Sequence, residues 1–345
     1  MKKLAIITFL AVCSTAAIAQ NKWNTEPYLT KSLSSAGIKD VFAETSGGSI
    51  TVAGVEASQA RVEVYVSPNN SNDDVTKEEL KQRLEDKYTL EITDANHELH
   101  VTAKSKGFNL NWRKTVSISF KIYVPKAVAT NLRTSGGSIN IADLTGEQNF
   151  ATSGGSLRVS NVSGKIKGRT SGGSINVADS KQDIDLTTSG GSITASNCSG
   201  TLRLVTSGGS LKLNKLSGDI NATTSGGSIH ADDIAGEFVT STSGGSVNLT
   251  QLACSVEGST SGGSIHADFK SVGKYVRFST SAGGISITMP TPKGLDLDLK
   301  GSRVNASLNN FSGTKEKDRV EGKLNGGGIP VVAHASSGSV NLSFN

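Results

Sequence analysis

Thr134-Ser-Gly-Gly-Ser-Ile-Asn-Ile-Ala-Asp-Leu-Thr-Gly-Glu-Gln-Asn-Phe-Ala151 is followed without a gap by Thr152-Ser-Gly-Gly-Ser-Leu-Arg-Val-Ser-Asn-Val-Ser-Gly-Lys-Ile-Lys-Gly-Arg169. The same frame reopens with Thr-Ser-Gly-Gly-Ser at Thr170, Thr188, Thr206, Thr224, Thr242 and Thr260, always eighteen residues on. A period held this strictly defines a solenoid, in which each repeat is one unit stacked on the next. The motif also stands once upstream at Thr45, and it decays downstream to Ser281-Ala-Gly-Gly284 and Ser336-Ser-Gly-Ser339. One architecture therefore runs through most of the 345 residues.

With the threonine of each motif as position one, position six reads Ile139, Leu157, Ile175, Ile193, Leu211, Ile229, Val247 and Ile265, and position eight is apolar throughout. Alternation of this kind predicts a half-buried strand with one face inward. Position eleven is mostly apolar as well, and positions fifteen and seventeen supply a second alternating pair, as in Ile184 with Leu186 and Leu202 with Leu204. Each coil thus offers two short strands and several inward side chains. The motif Gly-Gly and a glycine at position thirteen (Gly146, Gly164, Gly200, Gly218, Gly236) are expected to make the corners by entering positive φ. Position ten, Asp143, Asn161, Asp179, Asn197 and Asp233, supplies residue types that tolerate left-handed backbone. The fold class that follows is all-β, a parallel β-solenoid with 18-residue coils.

A solenoid needs caps, because its end coils otherwise present open strand edges. Arg61-Val-Glu-Val-Tyr-Val66 alternates as a strand, and Thr76-Lys-Glu-Glu79 reads as a capping box opening a short helix with Leu80, Leu84 and Tyr88 on one face. Alternation resumes in 90–101 and 116–124, ending at Pro125. Downstream of Phe278 the period breaks, and Val340 to Phe344 reads as a closing strand. The expected division is a signal peptide over 1–19, a β-rich N-terminal cap with one helix over 20–133, the regular array over 134–279, and an irregular β cap over 280–345.

Lys2 and Lys3, the apolar run Leu4 to Val12 and Ala17-Ile-Ala19 ahead of Gln20 have the layout of a secretory signal peptide, with cleavage expected between Ala19 and Gln20. Cys13 offers a rival lipoprotein box, which Val12 fits poorly because a small residue normally precedes that cysteine. No later stretch approaches the ~18 to 20 apolar residues of a membrane helix, so no transmembrane helix is expected in the mature chain. The net charge of +5 is mild, and basic residues interleave with acidic ones, which argues against nucleic acid as a partner.

Several residues invite sharper readings. Cys198 and Cys254 sit three coils apart, ~14 Å at ~4.8 Å per coil, too far for a disulfide, and read as buried small apolar residues. His230 and His266 share a column two coils apart, ~10 Å, beyond one metal's reach, and read as solvated. Calcium-binding solenoids use Gly-Gly-x-Gly-x-Asp turns, whereas here Ser-Ile follows the Gly-Gly, and Lys215 and Gln251 interrupt the position-ten column. Outward Asp183, Asp185, Asp219 and Glu237 raise glycoside hydrolysis, yet they stand in a regular charge ladder with Lys165, Lys167 and Arg203 rather than in a cleft. The threonine column suggests an ice-binding face, but its parity continues that of positions fifteen and seventeen and turns it inward. No catalytic residue, cofactor or metal site is assigned.

Ser-Gly-Gly-Ser-Ile units behind a signal peptide, Ile122-Tyr-Val-Pro125 entering the array and Gly338-Ser-Val-Asn-Leu342 near the end resemble the bacterial putative-adhesin family of β-strand-repeat proteins. Export and a rigid extended surface point to a non-enzymatic β-solenoid of the bacterial envelope, an adhesin or surface-binding protein whose partner is unknown, with a glycan or an envelope or host-surface component as candidates. The resemblance, to a family of uncertain function, covers nearly the whole mature chain. It brings no catalytic residues to carry over. A periplasmic structural or envelope-stress scaffold is the alternative, and a polysaccharide-processing enzyme a third.

Overall fold

The computed structural model describes residues 26–33, 37–69, 75–107, 115–290 and 294–345; Cys13, Ala19 and Gln20 lie outside the described residues. The described strands join in one mostly parallel sheet coiled around a single apolar core. Each coil contributes to two ladders. After the motif, Ile139–Ala142, Leu157–Ser160 and Ile175–Ala178 stack in parallel in steps of eighteen residues. Before the motif, Ala129–Thr134, Gln148–Ala151, Ser163–Thr170 and Lys181–Thr188 do the same. From Ile193 onward the corner between the ladders is itself paired, so Ile193–Thr206, Leu211–Thr223, Ile229–Thr242 and Val247–Thr260 are continuous strands.

The inward columns are the expected ones. Positions six and eight are buried in every coil of the array, and Leu144, Val162, Cys198, Leu216, Ile234 and Leu252 fill position eleven. Position seventeen holds Phe150 and Phe278 near the two ends of the array, each beside a glycine. A Cβ on Gly168 would come within 2.4 Å of the Phe150 ring, and one on Gly258 within 2.8 Å of the Phe278 ring. Large and small residues thus compensate between neighbouring coils, as close packing requires. Where position fifteen turns polar, at fully buried Gln148, the amide donates to Val128 O at 2.8 Å and accepts from Thr130 Oγ1 at 2.7 Å. A buried amide satisfied on both sides avoids the cost of an orphaned polar group.

The threonines of the motif turn inward and form a hydroxyl ladder. Thr152 Oγ1 donates to Gly137 O at 2.8 Å, Thr170 to Gly155 O at 2.7 Å, Thr206 to Gly191 O at 2.7 Å and Thr260 to Gly245 O at 2.7 Å. From Thr134 to Thr260 the acceptor is the position-four carbonyl of the coil stacked beneath, whereas Thr45 donates to Ile118 O at 2.8 Å. Each hydroxyl also accepts from the position-four N–H of its own motif, as Thr206 Oγ1 does from Gly209 N at 3.2 Å. Buried in this way, the threonines offer no face to ice.

One expectation is corrected. The motif glycines do not adopt positive φ. The second of them is required because coils approach closely: a Cβ on Gly155 would lie 1.9 Å from Gly137 O, and one on Gly209 2.1 Å from Gly191 O. The same carbonyl accepts the threonine hydroxyl, so positions one and four are two halves of one contact. The first glycine has far more room, with nearest atoms at 3.5 Å for Gly208, tightening to 3.1 Å at Gly244 and 3.2 Å at Gly262. Ala282 and Ser337 take its place in the decayed motifs, while Gly283 and Gly338 keep position four. Positive φ belongs to the other corner. Gly146, Gly164, Gly200, Gly218 and Gly236 have φ of 105–126°, and position ten is left-handed at Asp143, Asn161, Asp179, Asn197 and Asp233, and equally at Lys215 and Gln251. Asn161 Nδ2 donates to Asp143 Oδ1 at 2.6 Å and Asn197 Nδ2 to Asp179 Oδ1 at 3.1 Å, which ties these turn residues to one another along the stack.

At both ends the rungs leave chain order. The coil of Asp40–Thr45 and Ile50–Val55, which carries the Thr45 motif, stacks directly on Ala129–Thr134 and Ile139–Ala142. Glu98–Ser105 and Val116–Pro125, later in the chain, stack outside it. Tyr88–Ala95 and Arg61–Pro68 then add antiparallel to this outer rung, and Leu29–Ser32 adds antiparallel to Arg61–Pro68. The helix Lys77–Lys87 starts as expected, with Thr76 Oγ1 accepting from Glu79 N at 3.2 Å, and buries Leu80 and Leu84. The other end mirrors this arrangement. Ile329–Ala335 and Ser339–Phe344, which flank the last motif, pair with Ile265–Thr280 and Ile285–Met289, and Leu295–Lys300 and Arg303–Ala306 lie outside them. The strand expected to close the solenoid therefore lies one rung inside its end. Arg319–Leu324 and Phe311–Lys315 add antiparallel beyond Leu295–Lys300. Antiparallel strands at the outermost rungs cover edges that would otherwise recruit a further coil.

Candidate functional site

Because inward positions are filled, chemistry is left to the outward columns. On the post-motif face these are positions seven and nine. Lys212, His230, Asn248 and His266 follow one another in register at position seven, and both histidines are exposed. Beside them Asp232 accepts from Asn214 Nδ2 at 3.0 Å and from Thr250 Oγ1 at 2.7 Å. Between the two columns runs a shallow trough of about 320 Å³, largely apolar along its walls and bordered by Lys212, Asn214, His230, Asp232, Asn248 and Thr250.

At the N-terminal end this face carries an interlocked cluster. Arg61 stacks on the Tyr123 ring at 3.9 Å and its Nε lies 2.7 Å from Glu63 Oε1; Tyr65 OH donates to Glu63 Oε2 at 2.9 Å, and Lys121 Nζ lies 4.4 Å from the Tyr65 ring centre. Burial pushes the Glu63 carboxyl up, but the bonds from Arg61 and Tyr65 outweigh it and hold the group below its ordinary value. Burial and the bond to Glu63 push Tyr65 up to about 12. Every polar group here is engaged by another, which describes a strand-locking device rather than an open site.

Positions fourteen, sixteen and eighteen form the outer pre-motif face. Asp183, Thr201, Asp219 and Glu237 occupy one column in register, and Asp185 stands in the next. The structure does not bring these carboxylates together in a recess. Asp185 is held by Arg203 at 2.9 Å, and Glu237 accepts from Tyr275 OH at 2.7 Å, a bond that raises the phenol to about 12. Of the expected charge ladder, Lys165 closes on Glu147 at 3.4 Å and Arg203 on Asp185. The Asn149 amide and Lys165 hold the exposed Glu147 carboxyl below its ordinary value. Lys167, expected opposite Asp185, forms no ion pair among the described residues. It shares a hollow of about 130 Å³ with Arg133, Ala151 and Arg169, which sequence reading did not single out.

Cys198 and Cys254 are buried and free, as expected. Burial raises both thiols, Cys254 to about 12. At pH 8 about one Cys254 in 10⁴ is then a thiolate, against roughly a quarter for a free cysteine. Iodoacetamide at pH 8 is expected to leave Cys254 unmodified for hours in the native chain and to alkylate it within minutes in 8 M urea, read by intact-mass spectrometry; rapid native labelling would contradict the buried placement.

The family model described as Toastrack DUF4097 matches residues 38–245, more than half of the chain. The chain belongs to the Toastrack DUF4097 family. The Toastrack match begins just before the Asp40–Thr45 strand and ends inside the motif at Thr242, so it takes in the out-of-order N-terminal rungs and most of the array. Several solved structures are similar at low identity, among them the following three. A putative cell adhesion protein from Clostridium sporogenes is 11% identical, over 93% of this chain and 100% of that one, with a TM-score of 0.21. A putative adhesin from Bacteroides fragilis is 11% identical over 92% and 96%, with a TM-score of 0.27. A putative adhesin from Parabacteroides distasonis is 13% identical over 91% and 96%, with a TM-score of 0.30. No curated protein matches the chain.

Proposed function

We propose that this Toastrack chain is an exported, non-enzymatic surface-binding protein of the bacterial envelope, an adhesin in the broad sense, which presents the outer columns of its solenoid to an extended ligand. The observation that carries the reading is the division of labour within each coil. Inward positions repeat one apolar code, while outward positions change identity from rung to rung, as Glu147, Lys165, Asp183, Thr201 and Asp219 do at position fourteen. A rigid rod with a variable outer face is suited to reading a long partner at many weak points. Asp183, Asp185, Asp219 and Glu237 stand on a regular flat face, without the shielded pair of carboxylates that glycoside hydrolysis uses. The signal-peptide pattern supports export, and no helix among the described residues is long and apolar enough to cross a membrane.

Protease shaving and antibody labelling of intact cells test the reading, with a periplasmic protein as the protected control. Cleavage and labelling of the array on intact cells are expected. Protection until the outer envelope is opened would overturn the surface reading in favour of a periplasmic scaffold.

A further inference from the structure

Position eighteen faces outward one residue before the motif threonine. In three successive rungs it is Arg133, Ala151 and Arg169, paired in register, and position sixteen of the same rungs is Asn131, Asn149 and Lys167. Farther along the stack position eighteen holds the larger Thr187, Val205 and Thr223. The methyl of Ala151 thus leaves the hollow open between two arginines about two rungs apart, ~10 Å at ~4.8 Å per rung, a span that two long side chains can close.

These cations are unpaired. None of Arg133, Lys167 and Arg169 has a carboxylate within 4 Å among the described residues, whereas Lys165, Arg203, Lys270 and Arg277 on the same rod do. The nearest acids are engaged or displaced: Glu147 by Asn149 and Lys165, Asp185 by Arg203, and Glu44 one rung beyond Arg133 without an ion pair to it. A hollow flanked by two guanidinium groups and an ammonium attracts an anion, and a planar or tetrahedral oxyanion meets the arginine fork with paired hydrogen bonds.

We propose that the face centred on Ala151 binds the carboxylate or sulfate groups of an acidic polysaccharide, with Arg133 and Arg169 clamping the anion and Lys167 adding charge. The surroundings favour a glycan over other polyanions. On one side lie the Asn131 and Asn149 amides, and beyond the arginines the exposed hydroxyls of Ser135, Ser153 and Ser171 follow the rungs. Isolated charge flanked by neutral hydrogen-bonding groups matches a polymer whose anionic groups alternate with hydroxyls. A nucleic acid would ask for a longer track of cations, and acidic Glu147 and Asp183 interrupt any such track. A membrane surface would ask for a group of apolar anchors; among the described residues the large exposed apolar ones are Tyr28 and Leu29 in the N-terminal cap and a single Val239, four rungs along from Lys167.

The proposal deepens the surface-binding reading and rests on it for its biological setting, but its test is cell-free. Binding of the purified chain to alginate and to dextran sulfate at 150 mM salt is measured by calorimetry, with neutral dextran and single-stranded DNA alongside. At least one of the two acidic glycans is expected to bind, and which one distinguishes carboxylate from sulfate. Arg133→Ala with Arg169→Ala is expected to weaken that binding at least tenfold, and Ala151→Glu, which fills the hollow and adds a negative charge, to weaken it as much. Lys212→Ala, on the other face, is expected to change it less than twofold. Melting curves of all variants should coincide with the wild type, since these side chains are exposed. Equal losses in Lys212→Ala would reveal general cationic attraction and overturn the site, as would tighter binding of DNA or no binding of either glycan. If binding holds while intact cells protect the array, the site stands and the surface location falls; the reverse result removes the site alone.

Discussion

Gly209→Ala is expected to cost about 4 kcal/mol or more in urea denaturation, or to split the transition in two, whereas Gly208→Ala, one residue earlier, should cost about 1 kcal/mol or less. Both substitutions add one methyl group. At Gly209 the new Cβ would lie 2.1 Å from Gly191 O and 2.4 Å from Gly191 C, backbone atoms that cannot rotate away. Relief would demand that the coil rise off its neighbour, and Ile193 paired with Leu211 just beyond the corner resists that movement. At Gly208 the nearest atoms stand at 3.5 Å, an ordinary contact, and Ala282 and Ser337 already occupy this position in other coils. Far-UV circular dichroism across a urea titration measures both. Similar small losses in the two variants would show that the coils are not held at the spacing described here.

Thr206→Val should lower stability by about 2–4 kcal/mol at nearly constant volume, while Thr206→Ser should lose about 1 kcal/mol. Thr206 is 1% exposed, donates through Oγ1 to Gly191 O at 2.7 Å and accepts from Gly209 N at 3.2 Å. Valine keeps the shape but removes both interactions, taking a donor from one half-buried backbone group and an acceptor from another. Serine retains the hydroxyl and forfeits only a methyl contact. A valine variant as stable as the wild type, in the same titration, would mean that the ladder is ornamental to the stack. Gly209→Ala and Thr206→Val strike the same carbonyl from two sides, so their combination should cost less than the sum of the two.

Much of the coil was legible from the chain because a parallel stack repeats its demands. Each rung meets the same neighbours, so Ile139, Leu157 and Ile175 report one environment three times, and the inward columns follow by inspection. The inward turn of the threonines could be read from parity alone. The part played by the second motif glycine could not, since a recurring Gly-Gly suits a left-handed turn as well as a close approach. The decayed motifs held the clue, because only position four stays glycine at Gly283 and Gly338. The candidate site was less visible. Arg133, Lys167 and Arg169 look, in sequence, like members of a charge ladder in which opposite signs alternate. Their lack of partners depends on side-chain reach, on Arg203 taking Asp185 and on Lys165 taking Glu147, which no spacing rule specifies.

Taken alone, the sequence determined the period, the two strands of each coil, the inward columns, the left-handed corner at positions ten to thirteen and the helix that starts at Thr76. These are local properties, set by alternation, glycine placement and capping within a few residues. Only the tertiary structure decided the order of the end rungs, where Asp40–Thr45 and Ile50–Val55 slide beneath Glu98–Ser105 and Val116–Pro125, and Ile329–Ala335 and Ser339–Phe344 beneath Leu295–Lys300 and Arg303–Ala306. Strands with the same alternation and the same backbone groups can pair with any neighbour in the ladder, so chain order carries little information about stacking order. The choice falls to long-range terms: which rung carries the glycine corner that lets another coil approach, and which can be covered outside by antiparallel strands.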